Sequence, residues 1–252
     1  MYPVLAEIGP YTVHSYGLFI ALGAALGLWI WGDEAKEQEL RASLLPGLAF
    51  LSLLAWLLGS RAAFLLQQPA LLAQDPDWAL YFWRGGLNPW AGAAPALLVL
   101  WLLLTLYKQS LLEWSDALAP ALAAGLAVGH IGCFLSGASH GKPTDFPLAV
   151  AYTRLDSLAP VFVPLHPTQL YYSLAGVLVY ILLGLARGKA SRQGQILGLF
   201  LMLYFFLYFN ISLLRGDTQP LLWGLIWQQW LCILLTLLGL WTYLRGKEKK
   251  HA

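Results

Sequence analysis

Charge is what this sequence lacks most. Of its 252 residues only 11% are Asp, Glu, Lys or Arg, against roughly 25% in soluble globular domains. A chain so poor in charge cannot cover a water-facing surface, which excludes an ordinary soluble domain. Cysteine is scarce too. Cys133 and Cys232 are the whole complement and lie in or beside apolar segments, which argues against a disulfide scaffold. The sequence shows no repeat of fixed period and no low-complexity tract. No segment has the charged start, short apolar centre and cleavage site of a removable signal peptide, so the first apolar segment is expected to be kept. With a net charge of +2 there is no electrostatic footprint for nucleic acid. The basic tail RGKEKK reads as a topology anchor.

What is present is apolar: 59% of residues are hydrophobic and the mean hydropathy is +0.63. Lipid satisfies no backbone groups, so spans must be helices or a closed barrel. The apolar runs are continuous rather than alternating, which selects helices. A span needs about 20 mostly apolar residues, and seven segments qualify: Tyr11–Trp31, Leu44–Leu66, Trp90–Tyr107, Ala117–Leu135, Pro167–Ala186, Gln195–Leu214 and Leu221–Leu244. The expected fold is all-α and integral to the membrane, a single polytopic domain over 1–252. Orientation follows the basic residues. Lys36, Arg41, Lys108, Arg187, Lys189, Arg192, Arg245, Lys247, Lys249 and Lys250 fall in the first, third and fifth loops and the tail. The N-terminus is therefore expected outside and the C-terminus in the cytoplasm.

Ionisable groups within spans are costly and mark cavities or partners. Here they gather near span ends: His14 and Tyr16 in the first, Arg61 in the second, His130 and His140 at the end of the fourth. His166 and Gln169 open the fifth, and Tyr204 and Arg215 lie on the sixth. Arg84 precedes the turn GGLNPW. In an alternating arrangement most of these face the outer half. Arg61, Arg84, Lys142 and Arg215, with few acids nearby, fit an anionic ligand, and the common anion at that depth is a phospholipid head group. The competing reading is that each merely snorkels.

Six segments in order, IGPYTVHSYGLFIALG, GSRAAFLL, WRGGLNPWAG, DALAPALAAGLAVGHIGCFLSGASHG, PLHPTQLYYSLAG and GQILGLFLMLYFF, resemble the prolipoprotein diacylglyceryl transferases. The resemblance runs nearly the full length. It implies transfer of a diacylglyceryl group from phosphatidylglycerol to the lipobox cysteine that follows a prolipoprotein signal peptide. A thioether forms and glycerol phosphate leaves. No cofactor is implied. Tyr16, Arg61, Asp116, Gly141, Gln169, Tyr204 and Arg215 match family positions. The family signature G-R-x-G-N-F-x-N-G-E-x-x-G reads here from Gly129 to Gly141, with His130 for the arginine, Cys133 for an asparagine and Ala138 for the acid. Trp90 stands for the family histidine, Tyr172 for an acid, Tyr208 for an arginine and Ser212 for a further acid.

His130, Cys133 and His140 therefore admit three readings. They rebuild the active site, with His130 on phosphate, His140 as base for the thiol, and Arg84 or Lys142 replacing lost charge. Alternatively Cys133 is a nucleophile paired with His130, three residues away on one helix face, in a transferase with another acceptor. As a metal site, H-x2-C-x6-H offers three ligands and no evident fourth, so none is expected. Against all three stands plain packing of Cys133 as a small hydrophobe. The leading assignment is Tyr16, His140 and Tyr204 at the reacting centre. Arg61, Arg84, His130, Gly141, Gln169 and Arg215 bind substrate. A silent homologue that binds lipid or joins other membrane subunits is the alternative.

Overall fold

A computed structural model describes residues 1–9, 11–80 and 86–248. Arg84 lies outside the described residues. The chain forms two compact units, one of Met1–Gln38 with Ser115–Ala252, the other of Glu39–Trp114.

The first unit opens with a hairpin. β1 (Val4–Ile8) pairs antiparallel with β2 (Tyr11–His14), Glu7 opposite Thr12. The first span was expected from Tyr11, but Tyr11–His14 is strand. Thr12 and Val13 are β-branched and suit a pleat, and Gly9 at φ +59 supplies the turn. Helix α1 starts only at Ser15 and runs to Glu37. The unit's other long helices are α5 (Leu111–Ser136, counted here from Ser115), α6 (Thr168–Arg187), α7 (Gln195–Ser212) and α8 (Trp227–Arg245).

Small residues let these backbones close in, as in membrane helix packing. A Cβ added to Gly125 of α5 would lie 2.8 Å from the Gly23 carbonyl of α1. One added to Gly176 of α6 would lie 2.8 Å from Ala123 O, and one on Gly198 of α7 would lie 2.7 Å from Gly239 O of α8. The Ala- and Gly-rich α5 is thus the buried helix between α1 and α6, with Ala117, Ala119, Ala121 and Ala123 in the core.

At one end of this unit, charge does the joining. Arg187 pairs with Glu34 and with Glu37, the latter at 2.7 Å. The buried Asp116 accepts the Gly194 and Leu197 amides at 2.7 and 2.8 Å, capping α7 where its first N–H groups have no helical partner. The opposite end collects the start of α1, the end of α5, the start of α6, the end of α7 and the start of α8. That is the end of interest.

In the second unit α2 (Leu45–Gln67) packs on α4 (Pro89–Leu106), with the short α3 (Pro69–Gln74) between them in sequence. A Cβ on Gly59 would lie 3.5 Å from Gly92 Cα. Asn88 caps α4 through Ala91 N at 3.2 Å.

Among the described residues, six stretches are long and apolar enough to cross a membrane: Ser15–Glu37, Ala42–Gln67, Pro89–Leu106, Leu111–Ser136, Thr168–Arg187 and Gln195–Ser212. The seventh expected span begins later than Leu221. Residues Leu222 and Leu225 bridge in a turn, and α8 carries Gln228 and Gln229 in its first turn, which dilutes its apolar character.

Candidate active site

The end of α5 decides the local geometry. Gly137, at φ +84, turns the chain out of the helix, and a Cβ there would sit 2.7 Å from Ala159 N. Gly141–Thr144 then runs between two other segments. Gly141 N donates to His166 O (3.2 Å) and His166 N to Lys142 O (3.0 Å), while Lys142 N donates to Leu214 O (2.8 Å) and Gly216 N to His140 O (3.0 Å). Gly141 and Arg215 pair as an isolated bridge. This knot has no room for side chains. A Cβ on Gly141 would lie 2.5 Å from His166 O and 3.0 Å from Thr168 Cγ2, and one on Gly216 would lie 2.6 Å from Gly141 O. Here the glycines are required by close approach.

The first turn of α6 holds the same loop from the side. Thr168 donates to Ser139 O at 2.6 Å. Gln169, fully buried, donates to Ala138 O at 2.8 Å and to the Tyr152 hydroxyl at 3.2 Å. Tyr152 in turn donates to Phe134 O at 3.0 Å. Burial pushes the Tyr152 phenol up to about 12, so it remains a donor at neutral pH. His140 is half-buried, with Nδ1 3.1 Å from the Gly141 carbonyl. A carbonyl only accepts, so Nδ1 carries the proton, and in the neutral ring Nε2 keeps its lone pair. That is the tautomer a base needs.

Below the loop a row of rings crosses the helices. The Tyr204 hydroxyl lies 3.5 Å from His130 Nε2. His130 stacks on Tyr172 at 4.9 Å between centroids, and Tyr172 on Tyr208 at 4.4 Å. Arg215 ends the row, reaching the Tyr208 hydroxyl from Nη1 at 3.3 Å and clamping Asp217 through Nε and Nη2, each at 2.8 Å. Burial disfavours its charge, but the bonded Asp217 carboxylate more than offsets that, holding the guanidinium above its usual value. Tyr16 enters from α1 where that helix meets Gly132, whose added Cβ would lie 3.2 Å from Tyr16 Cα. Cys133, the next residue, is buried and free.

The structure thus brings His130, His140, Gly141, Gln169, Tyr204 and Arg215 to one end of one unit, with Tyr16 and Cys133 beside them. Sequence reasoning missed Tyr152 and Asp217 as members. Tyr172 and Tyr208 were read only as losses, though the four-residue spacing of Tyr204 and Tyr208 on one helix face was a visible signal. Lys142 is exposed and caps α7 through Leu213 O at 2.9 Å. Arg61 belongs to the other unit, where it is buried and donates to Gly86 O at 2.9 Å and to Trp78 O. Among the described residues no three His, Cys, Asp or Glu side chains are placed to share a metal ion.

The family model described as prolipoprotein diacylglyceryl transferase matches residues 3–245. A phosphatidylglycerol–prolipoprotein diacylglyceryl transferase of Bordetella parapertussis is 32% identical over 252 residues, covering 96% of this chain and 94% of its own. Those of Chromohalobacter salexigens and Legionella pneumophila are 31% and 32% identical, over 91% and 80% of this chain and 84% and 78% of theirs. With a match of that extent on a multi-pass helical membrane scaffold, the chain belongs to the prolipoprotein diacylglyceryl transferase family.

Proposed function

We infer that this chain transfers the diacylglyceryl group of phosphatidylglycerol to the cysteine thiol of a prolipoprotein. The observation that carries the reading is His140. It sits on the pinned loop beside the Arg215 backbone, with Nδ1 bonded to Gly141 O and Nε2 left as acceptor. His140 Nε2 takes the thiol proton, because the thiolate and not the thiol is the nucleophile. The sulfur attacks the glycerol carbon that bears the phosphate. The new C–S bond forms as the C–O bond breaks, and glycerol phosphate leaves with the extra negative charge. Arg215, protonated and fixed by Asp217, faces that charge, with His130 farther along the ring row beyond Tyr208 and Tyr172. Tyr16 and Tyr204 donate at the reacting centre, and Gln169 and Gly141 hold the loop that carries His140. Arg61, in the other unit, is engaged there with the Gly86 and Trp78 carbonyls.

The chain works as a single membrane domain of the bacterial inner membrane. It crosses seven times if α8 is included, with the Arg187 end cytoplasmic and the His140 end outside. Basic residues near Arg187, Lys189 and Arg192 support that orientation. The lipobox cysteine reaches the His140 end after its signal peptide.

A silent, lipid-binding homologue is the second reading, favoured by the stack of His130, Tyr172 and Tyr208, aromatic rings at positions where the family carries charge. A transfer assay separates the two. Membranes lacking their own transferase receive labelled phosphatidylglycerol, a lipobox peptide and either wild type or His140→Ala. Label on the peptide cysteine, lost in the variant, supports transfer. No label from folded wild type that still retains phospholipid supports the silent reading. If Cys133 were an acyl carrier, Cys133→Ser would abolish transfer, whereas the mechanism above leaves it within a few-fold.

A further inference from the structure

The segment between the knot's two edges is unusually apolar for a loop. From Leu148 to Val163 its only charged residues are Arg154 and Asp156, which pair with each other at 2.9 Å. The segment has a small core of Tyr152, Ala159 and Leu165, with Met1 and Val163 packed on it. Yet Leu148 is 65% exposed, Leu155 87%, Leu158 70% and Phe162 70%. Water-facing surfaces rarely gather large apolar side chains with so little charge among them.

The depth of these side chains is set by the hydrogen bonds of their backbone. Leu158 N donates to the carbonyl of Ser136 at 3.0 Å, and Ser136 is the last residue of α5. The segment therefore folds back to the level at which a candidate span ends, instead of rising away from it. Phe146 provides continuity on the other side. Its ring lies 6.1 Å from His166, whose ring lies 6.3 Å from Tyr171 in the first turn of α6. Below Tyr171 the exposed face of α6 continues with Leu174, Leu178 and Ile181, the surface that a bilayer covers. An aromatic row at the end of a span is the usual mark of the interfacial layer.

We propose that residues 146–162 are seated in the interfacial layer of the bilayer, with Leu148, Leu155, Leu158 and Phe162 against phospholipid. The occupant of this surface is the lipid of the membrane that the helices cross. The proposal rests on the reading of those helices as spans. It also gives the proposed chemistry a location, since His140 follows Ser136 by four residues and is thereby held at the depth of the phospholipid phosphates.

Single cysteines at Leu148, Leu158, Phe162 and, as a control in a span, Leu178 are labelled with an environment-sensitive fluorophore. The full chain is reconstituted in vesicles containing phosphatidylglycerol. Wild type, whose two cysteines are buried, serves as the blank. The expected result is blue-shifted emission at all four positions, quenched by lipids with a nitroxide near the head group and spared by aqueous iodide. Loop labels quenched by iodide and not by lipid, with Leu178 still quenched by lipid, overturn the proposal and leave the spans standing. Iodide quenching at Leu178 as well overturns both. Loop labels that become protected only on adding a lipobox peptide also overturn it, and assign the surface to the peptide.

Discussion

His140 has one ring nitrogen committed to the Gly141 carbonyl, and its proposed role as a base depends on that commitment. Replacing it with alanine removes the proposed base without touching the knot, which is built from backbone. Transfer should fall by about 10²-fold or more, the usual worth of a positioned base, with unfolding in detergent nearly unchanged. Label on the lipobox peptide measures the first and a thermal melt the second. Gly141→Ala should do the reverse of a clean deletion, because its Cβ meets His166 O at 2.5 Å. The loop must shift, so transfer and melting temperature should drop together. Tyr152 supplies a pH test. Its folded pKa is raised to about 12 by burial, above the ordinary tyrosine value near 10. The unfolded phenol therefore ionises first as pH rises. Tyr152's contribution to stability is complete below about pH 10 and is lost as pH climbs through its folded value. Tyr152→Phe should be less stable than wild type at pH 8, by about 1 kcal/mol for the lost hydrogen bonds, with the gap narrowing in alkaline denaturation. None of these roles was legible in full. The residue types of the signature pointed to His130, His140 and Gly141, but Tyr152 lies in a loop with no pattern of its own, and its partner Gln169 is 17 residues away.

Among the elements, α7 is the clearest case of a helix finished by another. Gly194 at φ +86 precedes it and offers no side chain to its first turn. Asp116 of α5, 78 residues earlier, accepts the Gly194 amide. Asp116→Ala should cost roughly 1–2 kcal/mol, the range for lost caps, and lower the melting temperature in detergent without abolishing transfer. The element boundaries divide into those written locally and those set by packing. Pro89 and Asn88 mark the start of α4 in the sequence itself, as proline in the first turn and an asparagine cap usually do. Tyr11–His14 was read into the first helix because its residues are apolar enough for either state. Pairing with Val4–Ile8 decided for strand, since an edge of free amides favours the element that satisfies it. The Ala- and Gly-rich α5 was the least distinctive of the apolar segments. Only the close approach of Gly23 of α1 and Gly176 of α6 to its backbone, and of its own Gly132 to Tyr16, explains why it needs such small residues.

For the whole molecule the decisive test is orientation. In right-side-out vesicles a membrane-impermeant thiol reagent should label Glu7→Cys on the N-terminal hairpin and spare Lys189→Cys, both exposed positions. The opposite pattern would invert the topology read from the basic residues. The apolar run lengths by themselves determined that this is a helical membrane protein, because a backbone in lipid must satisfy its own hydrogen bonds and about 20 residues cover the hydrocarbon. The ordered signature segments likewise determined the family. What the tertiary structure alone decided is which polar groups meet. His130 reaches Tyr204 across 74 residues of chain, Lys142 reaches Leu213 across 71, and the His140 loop is pinned by two segments distant in the sequence, 166–169 and 214–216. Inside a bilayer an isolated polar group is costly and gains nothing from its sequence neighbours on a helix facing lipid. Its partner must come from another helix, and which helix that is depends on where the small residues let backbones approach.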